Sequence, residues 1–507
     1  MSARLALVLF LLPAGATAAE TSLPLPPAPV RLVIPDAAAF DAALTGAYRR
    51  ALTGEADEGD PVVAGWRRSQ VGAKLEDQWS KLAGDLPWTW TEIQKLNPRA
   101  VGLALLDVGH LEAVLIVDAH VGVLPTFLAR GTPATHGGVA YQVLRRGAAD
   151  GSDDPDRRMG LAWAWLGSRL VVTTSERAMV LTLDQHISGH GFEAPLPGLV
   201  SVDLDADALR QDRYFRREFV FGPDTVSGHV FAALRLENGQ LVEVRQGSGE
   251  AGPDGVSFEW PRAVAAAWEP GAEDLAATLR AAVLEPLATL TDRPVPAVSA
   301  LPPARAADTD RYLVNLERTS ATAAPAEEGD LATWRQLFDT TPVSGWGYAL
   351  GPEGSRRIGF PLPAARDEEI LRLCQATLTR RAGPVTVAAV GAAREIRVGP
   401  GLPALALRRT GGFLWIARSA AELADAPTPT PSTGLVRWAR LDLEAARVEG
   451  ARWNRAEGPA APEQVRPFSD RVLGLLGWMP ETTSVEVERR RTPGGWAERV
   501  VFVPRGR

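Results

Sequence analysis

His186 and His190 stand four residues apart, a spacing that sets two imidazoles on one face of a helix, where they can share a metal ion. Asp118 and His120 alternate along an apolar stretch, so both project from one face of a strand and offer two more ligands. These four residues are the candidate metal ligands, and they suit a metal-dependent hydrolase. Two features oppose that chemistry. Ile187 stands where a metalloprotease helix places glutamate, and Ser188-Gly189 predicts a helix end between the two histidines. All six histidines (His110, His120, His136, His186, His190 and His229) fall in the first half of the chain. A duplicated protein that keeps a site in only one copy would show that asymmetry.

Other signatures are missing. Around Ser248 the two glycine positions of a nucleophile elbow are held by Gln246 and Glu250. None of the three lysines, Lys74, Lys81 and Lys95, sits in a phosphate-binding loop, and Gly345, Gly347 and Gly351 are spaced too widely for a dinucleotide fingerprint. Asp203, Asp205 and Asp207 alternate like the start of a calcium loop. Ala208 then replaces the required glycine and Tyr214 the bidentate glutamate, so a strand running into an N-capped helix is expected. Cys374 falls on a helix face with Ile370, Leu371 and Leu378 and reads as a buried, inert thiol. No cofactor is expected. Trp88 and Trp90 flank a loop after Pro87, and of the fifteen tryptophans they are the least easily assigned to a core. They are the candidate ligand surface.

The elements that would position these residues follow a tandem pattern. Leu161-Ala162-Trp163 leads through Gly167-Ser168 to Leu170-Val171-Val172 and then Ser175-Glu176. Leu405-Ala406-Leu407 leads in step through Gly411-Gly412 to Leu414-Trp415-Ile416 and then Ser419. Both series read as strand, tight turn, strand, serine N-cap and helix. Gly198-Leu199-Val200 and Gly434-Leu435-Val436 each open the next strand. Val30 to Asp36 and Ala263 to Pro270 are each an upstream strand before a helix. The hairpins at Glu237-Asn238-Gly239 and Thr492-Pro493-Gly494-Gly495 close the two series. The predicted class is α+β: two tandem related modules, each an antiparallel sheet with helices packed on one face. Residues 28–257 form the first module and residues 258–507 the second, divergent one. The Pro-rich stretches, including residues 19–27, are expected to be linkers or extended loops outside the core.

Composition narrows the partners. The chain has 507 residues, 46% hydrophobic and 23% charged, with 54 basic against 61 acidic residues. That balance excludes a nucleic-acid binder, which needs a basic face. Arg4, the apolar run Leu5 to Leu12 and Ala16-Thr17-Ala18 form an export signal, with cleavage expected after Ala18. The apolar run is too short to span a bilayer, so no membrane span is expected. With Cys374 as the only cysteine, neither a lipid anchor near the signal nor an internal disulfide is available.

The strand Val30 to Asp36 with its helix, Gly138-Val139-Ala140-Tyr141, and the hairpin Leu161 to Thr174 before Ser175-Glu176 resemble a family of secreted bacterial proteins. Its members carry duplicated α+β domains of unknown function behind a signal peptide. The resemblance implies export and fold class and carries no active-site residues. The second copy is expected to lack a counterpart of Gly138 to Tyr141. The sequence therefore points to an exported, periplasmic or extracellular, non-catalytic binding protein of the cell envelope, its partner an unidentified protein or envelope component. The alternatives are the metal-dependent hydrolase and a structural part of an envelope assembly.

Overall fold

The computed structural model describes residues 22–43, 90–107, 112–119, 131–145, 160–211, 228–249, 252–260, 263–271, 326–350, 356–398, 402–448 and 482–504, with small gaps and a few single positions elsewhere. The export signal lies outside them. They divide into two compact units at Gly249/Glu250. The boundary precedes the expected one at residue 257 because Gly255–Ser257 pairs with Thr430–Ser432 and so belongs to the second unit. Among the described residues no helix is long and apolar enough to cross a membrane.

The first unit contains β1 (Val30–Ile34), β2 (Pro98–Asp107), β3 (Glu112–Ala119), β4 (Thr132–His136), β5 (Val139–Arg145), β6 (Leu161–Leu166), β7 (Arg169–Thr173), β8 (Val200–Asp205), β9 (His229–Glu237) and β10 (Gln240–Ser248). Every pairing is antiparallel, and the order across the sheet is β4-β5-β6-β7-β3-β2-β1-β8-β9-β10. The helices are α1 (Ala37–Ala43), α2 (Trp90–Lys95), α3 (Glu176–Ile187) and α4 (Ala206–Gln211).

Helices cover both faces of this sheet, not the single face expected. Phe40 of α1 and Ile93 of α2 join Leu32, Val101, Val117 and Val172 on one side. Ala178, Met179 and Leu183 of α3 join Val33, Val114, Ile116 and Val171 on the other. The cause is visible in β3, where Ala113 to Val117 is apolar without alternation. Both faces of such a strand need cover. The Pro-rich segment also departs from expectation. Leu23 and Leu25 are buried in the α3-side core, and Leu23 exchanges backbone hydrogen bonds with Phe192. In an extended chain these two leucines, two residues apart, fall on the same side and reach the sheet together.

Ser175 begins α3 by accepting a hydrogen bond from the Ala178 amide at 2.9 Å while its hydroxyl donates to Glu112 at 2.6 Å. Ser175→Ala removes both and is expected to cost about 1–2 kcal/mol, read as a lower urea midpoint at unchanged slope.

The second unit contains β11 (Gly255–Ser257), β12 (Ala265–Pro270), β13 (Gly345–Leu350), β14 (Arg356–Pro361), β15 (Val385–Val390), β16 (Ala393–Val398), β17 (Leu402–Thr410), β18 (Phe413–Ala417), β19 (Thr430–Ser432), β20 (Leu435–Asp442), β21 (Thr482–Thr492) and β22 (Gly495–Pro504). Apart from the short β11–β19 pair, the order is β15-β16-β17-β18-β14-β13-β12-β20-β21-β22, again antiparallel throughout. Strand for strand, this repeats the order of the first unit. The hairpin β15-β16 occupies the place of β4-β5, so the second unit does have a counterpart of Gly138 to Tyr141, unrecognisable by residue type. Where α3 follows β7, however, only a single 3-10 turn, Ala421–Leu423, follows β18. Pro427, Pro429 and Pro431 stop any helix there from running past Ala426.

Two longer helices, α5 (Ala326–Thr340) and α6 (Asp367–Ala382), belong to this unit. Phe338 of α5 meets Phe360 of β14 edge-on at 5.6 Å. The opposite face carries an aromatic core of Phe258, Trp260, Trp268, Phe413 and Trp415. Cys374 of α6 is buried with Ile370, Leu371 and Leu378, and burial pushes its thiol pKa up.

Candidate functional site

Among the described residues the expected ligands Asp118, His186 and His190 belong to no group that could hold a metal ion. Asp118, at the end of β3, accepts hydrogen bonds from Arg99 and from the Ser168 hydroxyl, both at 2.7 Å. His186 lies in the last turn of α3. That helix ends at Ile187, and Gly189 turns the chain with φ +69°. The four-residue spacing therefore never lies on one helix face, and His190 instead contacts the Ser188 hydroxyl at 2.9 Å. Among the described residues no three His, Cys, Asp or Glu side chains form a metal-binding group. His120 and Trp88 lie outside the described residues. Trp90 opens α2, but its side chain also lies outside them.

The structure instead brings together charged residues that are far apart in the chain. In the first unit Arg31 of β1 lies directly opposite Asp203 of β8. Asp203 is 1% exposed, and both of its oxygens are engaged. One accepts from the Arg31 guanidinium, whose Nε lies at 3.1 Å, and the other contacts His229 Nδ1 at 2.7 Å. Arg31 also stacks over Phe192 at 4.2 Å. His229 Nε2 points away from this carboxylate, 4.0 Å from Asp205. Asp205 caps α4 through the Ala208 amide at 2.9 Å, so the Asp203 to Asp207 run is a strand end and helix cap as expected.

A second rung crosses four neighbouring strands of the second unit. Arg437 of β20 lies opposite Arg489 of β21, and Arg489 opposite Glu498 of β22. Arg437 also pairs with Glu269 of β12 at 3.0 Å and lies 3.7 Å from Glu498. Arg489 meets Glu498 at 3.0 Å and stacks over Trp496 at 4.1 Å. Two acids and two bases thus neutralise one another beneath the surface. Burial raises the Glu269 pKa, against the opposing pull of Arg437, and burial lowers that of Arg489. No motif marks either rung in the sequence. In β1 and β12 the trace is a single charge, Arg31 or Glu269, in a strand that otherwise carries no charged residue.

The remaining feature is a sheet edge. Among the described residues β15 pairs only with β16. Its sequence Val-Thr-Val-Ala-Ala-Val has no charge and no proline, and Thr386, Val387, Ala389 and Val390 are exposed. Only four large hydrophobic side chains are exposed among the described residues, and Val387 and Val390 are two of them. Most natural edges are blunted by charge or proline. The first unit follows that rule at the same place, because β4 carries Pro133, and its His136 contacts Asp184 of α3 at 2.6 Å. An open groove of about 560 Å³ between α5 and α6 lies in the same unit, lined by Thr333, Gln336, Thr340, Glu369 and Arg372. Thr333, Gln336, Thr340 and Arg372 are exposed, so the groove encloses no buried polar group among them. Comparison of the chain with models of protein families, with curated proteins and with solved structures finds no match.

Proposed function

We propose that the chain is an exported, non-catalytic binding protein of the bacterial cell envelope, built from two related α+β modules. Its ligand is an extended, uncharged segment of another envelope protein, which adds as a strand to β15. The carrying observation is that edge, left unblunted in one unit while its counterpart in the other carries proline. An edge strand offers a row of backbone donors and acceptors, and alternate side chains supply selectivity. A charged segment would gain nothing against Val387 and Val390, so the fitting partner alternates small and β-branched residues. The shared strand order of the two units supports the reading of related modules. The export signal and the single, buried cysteine support a location outside the cytoplasm without a lipid anchor.

The test uses the mature protein with a photo-cross-linker at Thr386, incubated with the envelope fraction, and the captured peptide is mapped by mass spectrometry. An extended uncharged segment is expected. Val387→Lys should abolish its capture while changing stability by no more than about 0.5 kcal/mol, since the side chain is exposed. Equal capture by Val387→Lys, or cross-linking only to this chain itself, would overturn the proposal.

A further inference from the structure

The two charged rungs lie on corresponding strands with opposite polarity. In the first unit the base is on β1 (Arg31) and the acid on β8 (Asp203). In the second the acid is on β12 (Glu269) and the base on β20 (Arg437). We infer that this reversal prevents the two units from exchanging strands as the chain folds. The inference rests on the reading that the units are related modules.

Exchange is otherwise open to the chain. The two sheets share one strand order, all antiparallel, and tethered copies meet at high effective concentration. Misassembly between like domains is a characteristic failure of repeat proteins. In the superposed register Val33 and Ser201 are the counterparts of Glu269 and Arg437, and Ala267 and Ala439 those of Arg31 and Asp203, so exchange separates each charge from its partner and leaves a like charge two positions away on the adjoining strand. With β12 docked on β8, Glu269 and Asp203 become two acids on adjoining strands that have lost both arginines, with only the His229 ring left on Asp203. With β1 docked on β20, Arg31 and Arg437 become two bases. The side chains of Asp203, Glu269, Arg437 and Arg31 are 1%, 14%, 15% and 19% exposed in their native places, so water would screen little of that repulsion. The rungs are also offset. When Gly198-Leu199-Val200 and Gly434-Leu435-Val436 are superposed, Arg437 falls at Ser201 and Asp203 at Ala439. An exchanged charge would therefore meet an uncharged residue directly across: Ala439, Ala267, Ser201 or Val33.

The experiment refolds the full mature chain from urea, with Cys374→Ala removing the native thiol, and reads strand partners by disulfide trapping. Val30→Cys with Leu204→Cys and Ala266→Cys with Arg440→Cys report the two native registers. Val30→Cys with Arg440→Cys reports exchange. The double reversal Arg31→Glu/Asp203→Arg keeps an ion pair in the first unit but gives it the second unit's polarity. It should raise the exchange disulfide about tenfold or more over the unreversed chain. If the reversed chain does not refold, the neutral pair Arg31→Leu/Asp203→Leu replaces it, and the exchange signal should still rise. Native disulfides in both registers with exchange unchanged in these variants would overturn the inference. Failure of either native disulfide in the unreversed chain would instead overturn the common strand order, and with it the reading of related modules.

Discussion

Arg437→Met is expected to cost about 3–5 kcal/mol, the largest effect of any single substitution in the second unit. Its guanidinium reaches both Glu269, at 3.0 Å, and Glu498, at 3.7 Å. Removing it strands Glu269 beneath the surface without its ion-pair partner and takes one of its cations from Glu498. Urea unfolding at neutral pH measures the loss as a fall in midpoint. Acid should partly restore the variant. The pKa of Glu269 is raised from its ordinary 4.5, so the folded protein holds this proton more tightly than the unfolded chain. Its contribution is therefore favourable below 4.5 and is lost as pH rises through the raised value, the reverse of the usual salt-bridged carboxylate. Glu269→Gln should abolish that dependence. An Arg437→Met midpoint equal to that of the parent would contradict the assignment of the rung as a buried, mutually dependent set.

Gly359→Ala should have the second largest effect, about 3 kcal/mol, through overpacking. Gly359 of β14 lies directly opposite Trp415 of β18, and a Cβ there would fall 2.1 Å from the indole ring. The ring has nowhere to go. It is fully buried, edge-on to Trp260 at 4.9 Å and to Phe258 at 5.4 Å, and its Nε1 donates to the Pro427 carbonyl at 3.1 Å. The check is a double-mutant cycle with Trp415→Leu, in which the alanine should add less than about 1 kcal/mol because the clash is gone. Additive losses would mean that the glycine is required for another reason.

The hairpins were legible in the sequence because local chemistry dictates them. Gly411 and Gly412 both take positive φ, 55° and 83°, as a two-residue turn between twisted strands demands. The landmarks shared by the two halves fall on corresponding strands for the same reason. Sheet order was not legible, since β3 meets β7 and β14 meets β18 across three intervening strands, a closure that no short motif encodes. The rungs were hidden by the same separation. Arg31 and Asp203 lie 172 residues apart, and each alone looks like an ordinary surface charge. The spacing of His186 and His190 misled because it holds only inside a continuous helix, and Ser188-Gly189 ends that helix. Val385 to Val390 reads as a plain strand, and only its place at the end of the sheet order makes it an edge.

The burial of Cys374 turns the second unit into its own reporter. It is the only thiol in the chain, is fully enclosed, and is carried by a helix packed on β15 and β16. A thiol reagent therefore reacts only when that helix lifts or the unit unfolds. The rate of labelling, followed with and without a bound strand at β15, would show directly how far occupancy of the edge stiffens the helix behind it.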